Sequence, residues 1–224
     1  MAKSKPVETE AATPRDRIID ALMALAADMH WGDITLPMIA ARADVNLADL
    51  RDHFPSKGAI LGGFAKRIDR IVLAPSTDML GEPARERLLD VMMRRLDALA
   101  PYKVGLKEIR RATRRDPLTL AALNQLALNS WRYMLAAADL DTEDELGMVR
   151  VQGAALVFVR TLDVWFEDEG EDLAKTMAFL DKELGRGEKI MGRLEDVRRM
   201  AAPFRGFMRA AMDRRGKRSE ERPS

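Results

Sequence analysis

Apolar positions along this chain recur every three or four residues and never alternate over a useful stretch, which is the spacing of amphipathic helices rather than strands. The first such segment opens at Thr13-Pro14-Arg15-Asp16. Thr13 suits an N-cap, Pro14 a first helical position, and Asp16 the positive end of the helix dipole. Ile18, Leu22, Leu25, Ala26 and Met29 follow on one face, and the segment ends near His30-Trp31-Gly32. Thr35 is placed to cap a second helix, with Met38, Ile39 and Ala43 pointing inward. Asn46 is placed to cap a short third helix that runs to about His53 and is broken by Pro55-Ser56. Ser56 opens a fourth, with Ile60, Leu61, Phe64, Ile68 and Ile71 on its apolar face. Later helices are expected at 83–99, 102–113, 117–139, 143–167, 171–186 and 194–214. Their starts are marked by Pro83, Pro101, Asp116-Pro117 and the capping-box pattern Thr142-Glu143-Asp144-Glu145. The expected fold class is all-α: a small N-terminal three-helix module followed by a larger helical bundle.

The punctuation between these segments divides the chain. Residues 1–12 are polar and unpatterned and read as a disordered arm. Residues 13–74 form the small module, and 75–82, with Pro75 and Gly81, read as a linker. Residues 83–192 form the larger helical domain. Residues 193–218 form a basic amphipathic helix, and the last few residues fray.

Composition narrows the chemistry. Cysteine is absent from the 224 residues, which excludes disulfides, thiolate metal sites and cysteine nucleophiles. His30 and His53 are the two histidines and lie on different segments. No metal-ligand cluster, glycine-rich phosphate loop or nucleophile–base arrangement is visible. The acidic run Glu167-Asp168-Glu169 and Glu171-Asp172 lacks calcium-loop spacing and reads as a solvated turn before a helix. The expectation is therefore no catalytic residue, no metal, no cofactor and no enzymatic activity. The N-terminus has no apolar signal segment, and no run of 18 apolar residues exists, so a cytoplasmic location is expected.

Two short helices joined by a tight turn let the second lie in the major groove of DNA while the first crosses the backbone. Thr35 to Phe54 has that spacing, which also fits an ordinary helix pair in a bundle. The residues resemble the TetR family of transcriptional regulators. The resemblance runs through Trp31-Gly32, Thr35, Ile39-Ala40, Ala43-Asp44-Val45-Asn46, Leu50, His53-Phe54-Pro55-Ser56-Lys57 and Ile60-Leu61. It implies a helix-turn-helix DNA-binding domain at 13–74 that docks on a palindromic double-stranded operator as a homodimer. It also implies a C-terminal domain for dimerisation and ligand binding. Carried over, the DNA-contacting set is Thr35, Asn46, Leu47, Asp49, Arg51, Asp52, His53 and Lys57, with 47–53 as the recognition helix and Lys57 on phosphate. Arg15, Arg17, Lys3 and Lys5 are further candidates for backbone contacts. The chain departs from the family pattern at Asp44, where a turn glycine is usual. It departs again at Leu47, Asp49 and Arg51, where basic, hydroxyl and tyrosine residues are usual, and Asp52 adds a further acid. Across 35–57 three bases (Arg42, Arg51, Lys57) face three acids (Asp44, Asp49, Asp52). Such a neutral head gains little from counterion release.

In the larger domain Trp131, Met134, Phe158 and Trp165 are candidates for the lining of a pocket for a small apolar ligand. Core and dimer packing account for the same residue types. The C-terminal half also resembles a second group, the ubiquinone-biosynthesis accessory family, which binds lipid on a TetR-like fold. That likeness rests on Ala100-Pro101-Tyr102, Ser130-Trp131-Arg132-Tyr133, Trp165-Phe166-Glu167-Asp168 and the stretch 172–181. Over 193–218 the chain has nine basic and three acidic residues, an excess of six positive charges in a chain whose net charge is +1. Apolar residues repeat there at helical spacing. Two dispositions fit this segment. It can pack on its own bundle or on a dimer partner. It can instead lie in the headgroup region of a membrane, with Phe204, Phe207, Met208, Arg205 and Arg209 facing the lipid. The leading expectation is a ligand-responsive, dimeric TetR-type repressor. The alternative is a lipid- or isoprenoid-binding accessory protein that keeps the fold, does not read DNA, and touches a membrane through its last helix.

Overall fold

The computed structural model describes residues 13–74, 81–114 and 116–220, with the backbone alone for residue 198 and residues 201–220. The N-terminal arm, most of the expected linker and the side chains of Phe204, Arg205, Phe207, Met208 and Arg209 lie outside what it describes. The described residues form nine α-helices and no strand. In order these are α1 (Pro14–Asp28), α2 (Leu36–Arg42), α3 (Leu47–His53), α4 (Lys57–Val72), α5 (Ala84–Leu99), α6 (Lys103–Thr113), α7 (Pro117–Ala137), α8 (Gly147–Trp165) and α9 (Ala174–Glu220), with single 3-10 turns at Trp31–Asp33 and Ala100–Tyr102.

Local sequence sets the helix starts. Thr13, Thr35, Asn46 and Ser56 each accept a backbone N–H from the first turn of α1 to α4, which satisfies donors that a helix otherwise leaves open. On α4 the inward face carries Ile60, Leu61, Phe64, Ile68 and Val72. Ile71, expected on that face, is 56% exposed. The reason is the 3.6-residue period, which carries the stripe from Ile68 to Val72.

The small module is seated on the larger one. α1 packs along α6, and α4 packs against α5 and α7. A Cβ placed on Gly105 of α6 would stand 2.8 Å from the carbonyl oxygen of Met23 on α1, so the glycine is what lets these two helices approach so closely. Glu108 of α6 accepts the Trp31 N–H at 3.1 Å and also bonds His30 and Arg111. Burial pushes the Glu108 carboxyl up, but these bonds outweigh it and hold it below the usual range. One continuous apolar core runs through both modules, from Ile18 and Leu22 of α1 to Trp131 of α7 and Leu180 of α9.

Two later elements differ from the expected ones. α8 begins at Gly147, not 143, because Asp141 and Asp144 bond the N–H groups of Glu143 and Leu146 and close tight turns instead of a helical one. α9 is a single helix where two were expected. Glycines 185, 187 and 192 weaken it locally. Ion pairs of Glu183 with Arg186 and Arg160, and of Glu195 with Arg150 and Arg199, tie the helix together and to α8 across that stretch. Its start is fixed at the acidic corner. There Asp168 accepts the N–H and hydroxyl of Thr176, and these bonds hold its carboxyl below the usual range.

Candidate functional site

α2 and α3 meet across the turn Ala43-Asp44-Val45. Asp44 has φ of 52°, the left-handed conformation that favours glycine and that aspartate tolerates among other residues. The turn is closed by Val45 N–H on the Ala40 carbonyl and by the Arg17 guanidinium on the Ala43 carbonyl. Leu50 and Phe54, each 2% exposed, lock α3 into the core beneath α1. Because these two face inward, Leu47, Ala48, Asp49, Arg51 and Asp52 face outward, and Leu47 is 52% exposed despite its apolar side chain. His53 is half-buried at the end of α3.

The structure gives the site residues read from the sequence different settings. Thr35 and Asn46 use their side-chain oxygens as caps, on Met38 N–H at 3.4 Å and Asp49 N–H at 2.8 Å. Arg51 reaches forward to the Pro55 carbonyl at 3.5 Å, at the limit of a hydrogen bond. Lys57 is turned inward. Its ammonium donates to the carbonyls of Trp31 at 3.0 Å and Ile34 at 2.7 Å and lies 4.7 Å from the Trp31 ring centroid. Burial lowers its pKa from the ordinary lysine value. Two of its three donors are thereby engaged within the protein. Arg17 is likewise drawn to the turn, while Arg15 stays exposed and stacks over Phe54 at 4.3 Å. Arg42 is exposed and pairs with Asp28 at 3.6 Å. Lys3 and Lys5 lie outside the described residues.

A cavity of about 440 Å³ lies between α4, α5, α6, α7 and α8. Of the four candidate pocket residues, Trp131 and Phe158 line it, with ring centroids 5.0 Å apart. Met134 and Trp165 do not. Both are fully buried in the core, and the Trp165 ring is covered by the Lys103 ammonium at 5.0 Å. The α4 side of the wall is Leu61, Phe64, Ala65 and Ile68. The apolar stripe of α4 was legible in the sequence, but nothing local showed that it faces a cavity.

A polar group missed by the sequence reading joins this cavity to α4. Arg95 of α5, 8% exposed, donates to Asp69 of α4 at 2.5 Å, and Ser130 of α7 donates to the other Asp69 oxygen at 2.6 Å. The Arg95 guanidinium also lies 5.9 and 5.7 Å from the ring centroids of Trp131 and Phe158. Arg95 and Ser130 line the cavity, and Asp69 stands behind them. On α6, Arg110 is held by both oxygens of Asp163, at 3.1 Å each. Among the described residues no helix is long and apolar enough to cross a membrane.

No family model matches the chain. It is 30% identical over 157 residues to the HTH-type transcriptional repressor KstR of Rhodococcus jostii, a match that covers 61% of this chain and 66% of that protein, just under two thirds of its length. Among solved structures it is similar to a TetR transcriptional regulator from Nitrosomonas europaea, with a TM-score of 0.62, 25% identity, and coverage of 77% of this chain and 96% of that one. A TetR regulator from Rhodococcus sp. RHA1 gives a TM-score of 0.56 at 17% identity, covering 77% and 94%. These similarities are to transcriptional regulators, and they favour that reading over the lipid-binding accessory one. With the capped helix-turn-helix and the all-α bundle already described, they show that this chain has the TetR fold and is similar in sequence to TetR-type transcriptional regulators.

Proposed function

We propose that this protein is a dimeric, ligand-responsive repressor that docks α3 in the major groove of a palindromic operator. The observation that carries the reading is the outward face of α3. It follows α2 and precedes α4, all three capped by side chains, and is anchored from below by Leu50 and Phe54, as a recognition helix requires. Arg15, Arg42 and Arg51 supply the exposed cations around it, and Thr35, Asn46 and His53 lie at the ends of its two helices. Leu47 and Ala48 offer apolar contact to thymine methyl groups, and Asp49 and Asp52 accept from cytosine amino groups. Lys57, engaged with the Trp31 and Ile34 carbonyls, braces the head and leaves phosphate contact to these arginines.

Exposed apolar side chains on α8 and α9, among them Val149, Leu156 and Met177, supply area for a partner copy to cover. The cavity is the effector site. Its wall includes α4, the helix that follows α3 directly, so a ligand that favours one placement of α4 changes the setting of the head. It does so only to the extent that it binds the two states differently. The test is a mobility-shift titration with duplex from upstream of the protein's own gene. The expected result is binding at low salt that weakens as salt rises, and absence of binding at the lowest salt sinks the reading.

A further inference from the structure

The cavity is apolar along most of its wall and polar at one end. Exposure falls from Asn124, open to solvent, to Arg95, which is 8% exposed and flanked by Trp131 and Phe158. A guanidinium carries five N–H donors. Among the described residues Arg95 makes one hydrogen bond, to Asp69, so donors remain at the inner end of the cavity. Its charge, by contrast, is already matched. Asp69 neutralises it, and Ser130 satisfies the other carboxylate oxygen. Arg110, the other cation in the wall, is clamped by Asp163, which also pairs with the more exposed Arg114.

We propose that the cavity takes an uncharged, mostly hydrocarbon molecule with one oxygen-acceptor head, a carbonyl, ester or hydroxyl, seated on the free N–H edge of Arg95. The proposal rests on the reading of the cavity as an effector site and names its ligand class. A hydrocarbon body suits Leu61, Phe64, Leu123 and Leu162, and the volume falls within the roughly 300–1,000 Å³ of small-molecule sites. An oxygen acceptor satisfies donors that an aliphatic group leaves bare, which is how a site built to hydrogen-bond rejects an analogue lacking the polar atom. A carboxylate is disfavoured. It would bring a second negative charge beside Asp69, with no unmatched cation at that end and little water to screen it.

The test compares three probes of one chain length, methyl laurate, laurate and dodecane, on the full-length protein without DNA. It is run at about pH 8, where laurate is ionised. Trp131 stands in the wall, so tryptophan fluorescence reports occupancy. Methyl laurate is expected to bind at least about tenfold more tightly than laurate and more tightly than dodecane. Replacing Arg95→Met together with Asp69→Asn removes both charges and every N–H donor of the Arg95 side chain, and leaves an amide that Ser130 can still pair. In that variant the advantage of the ester over dodecane is expected to vanish while dodecane affinity stays, a split that a merely structural role for Arg95 does not produce. Three outcomes overturn the proposal: laurate binding as tightly as its ester, the ester keeping its advantage in the double variant, or no probe binding. The wild-type comparison stands even if the variant does not fold. Because no DNA is present, failure here leaves operator binding untouched, and failure of operator binding leaves this result untouched.

Discussion

Lys57 and Asp69 show how a single charged residue takes its role from what surrounds it. The family resemblance assigns Lys57 to phosphate, yet its ammonium bridges the carbonyls of Trp31 and Ile34 and fastens the α1–α2 connection to the start of α4. Lys57→Met is therefore expected to lower unfolding free energy by about 1–3 kcal/mol, the range for hydrogen bonds from a charged donor. A urea titration measures it. The slope of log affinity against log salt for duplex DNA is expected to stay the same, whereas loss of a phosphate-bound cation reduces it by about one. Asp69→Ala strands the Arg95 guanidinium in an apolar wall, and a cost of about 3–5 kcal/mol is expected by the same measurement. Neither role was legible in the sequence. Asp69 lies 26 residues from Arg95 and 61 from Ser130, and no periodicity or spacing rule reaches across such intervals.

At the level of elements, the caps were the most legible part of the chain. Thr13, Thr35, Asn46 and Ser56 bond within their own first turns, so the information that places them is local. The start of α8 was not legible, because Asp141 and Asp144 close turns in the same stretch that resembles a capping box. Gly147 completes that corner: a Cβ there would stand 2.0 Å from the Thr142 carbonyl oxygen. Gly147→Ala is expected to shift the corner and lower the thermal midpoint, at a cost of about 1–3 kcal/mol typical of overpacking. α3 presents the reverse situation, with a charge pattern plain in the sequence and a consequence visible only once exposure is known. Asp52 is exposed on the face proposed to meet DNA. Asp52→Asn is expected to raise affinity for non-operator duplex by roughly two- to fivefold at low salt, the scale of one screened like-charge contact. Fluorescence anisotropy with a labelled random duplex measures it, and unchanged affinity would place α3 away from the phosphates.

At the scale of the molecule, head and body are held together by apolar packing and by polar ties that include Glu108 to Trp31, Asp69 to Arg95, Arg67 to Tyr102 and Arg94 to the Val72 carbonyl. The carboxyls of Glu108 and Asp168 both sit below their usual values. Their contribution to stability is full above the unfolded carboxylate values, near about 4, and is lost as pH falls through the folded ones. The thermal midpoint is therefore expected to be nearly level from about pH 7 to pH 5 and to drop below about pH 4. Glu108→Gln is expected to remove part of that drop. A flat profile down to about pH 3 in the wild type would refute the assignment.

The unbroken run of α9 has a hydrodynamic consequence. Its 47 residues rise about 1.5 Å each, giving a rod of roughly 70 Å. A globular chain of this length has a radius of gyration of only about 17 Å. A particle with such a spar tumbles and sediments more slowly than a sphere of 25.1 kDa, so one copy emerges early from a sizing column, where a dimer of rounder shape would run. Subunit number in this protein must therefore be read from light scattering or equilibrium sedimentation, which weigh the particle whatever its friction.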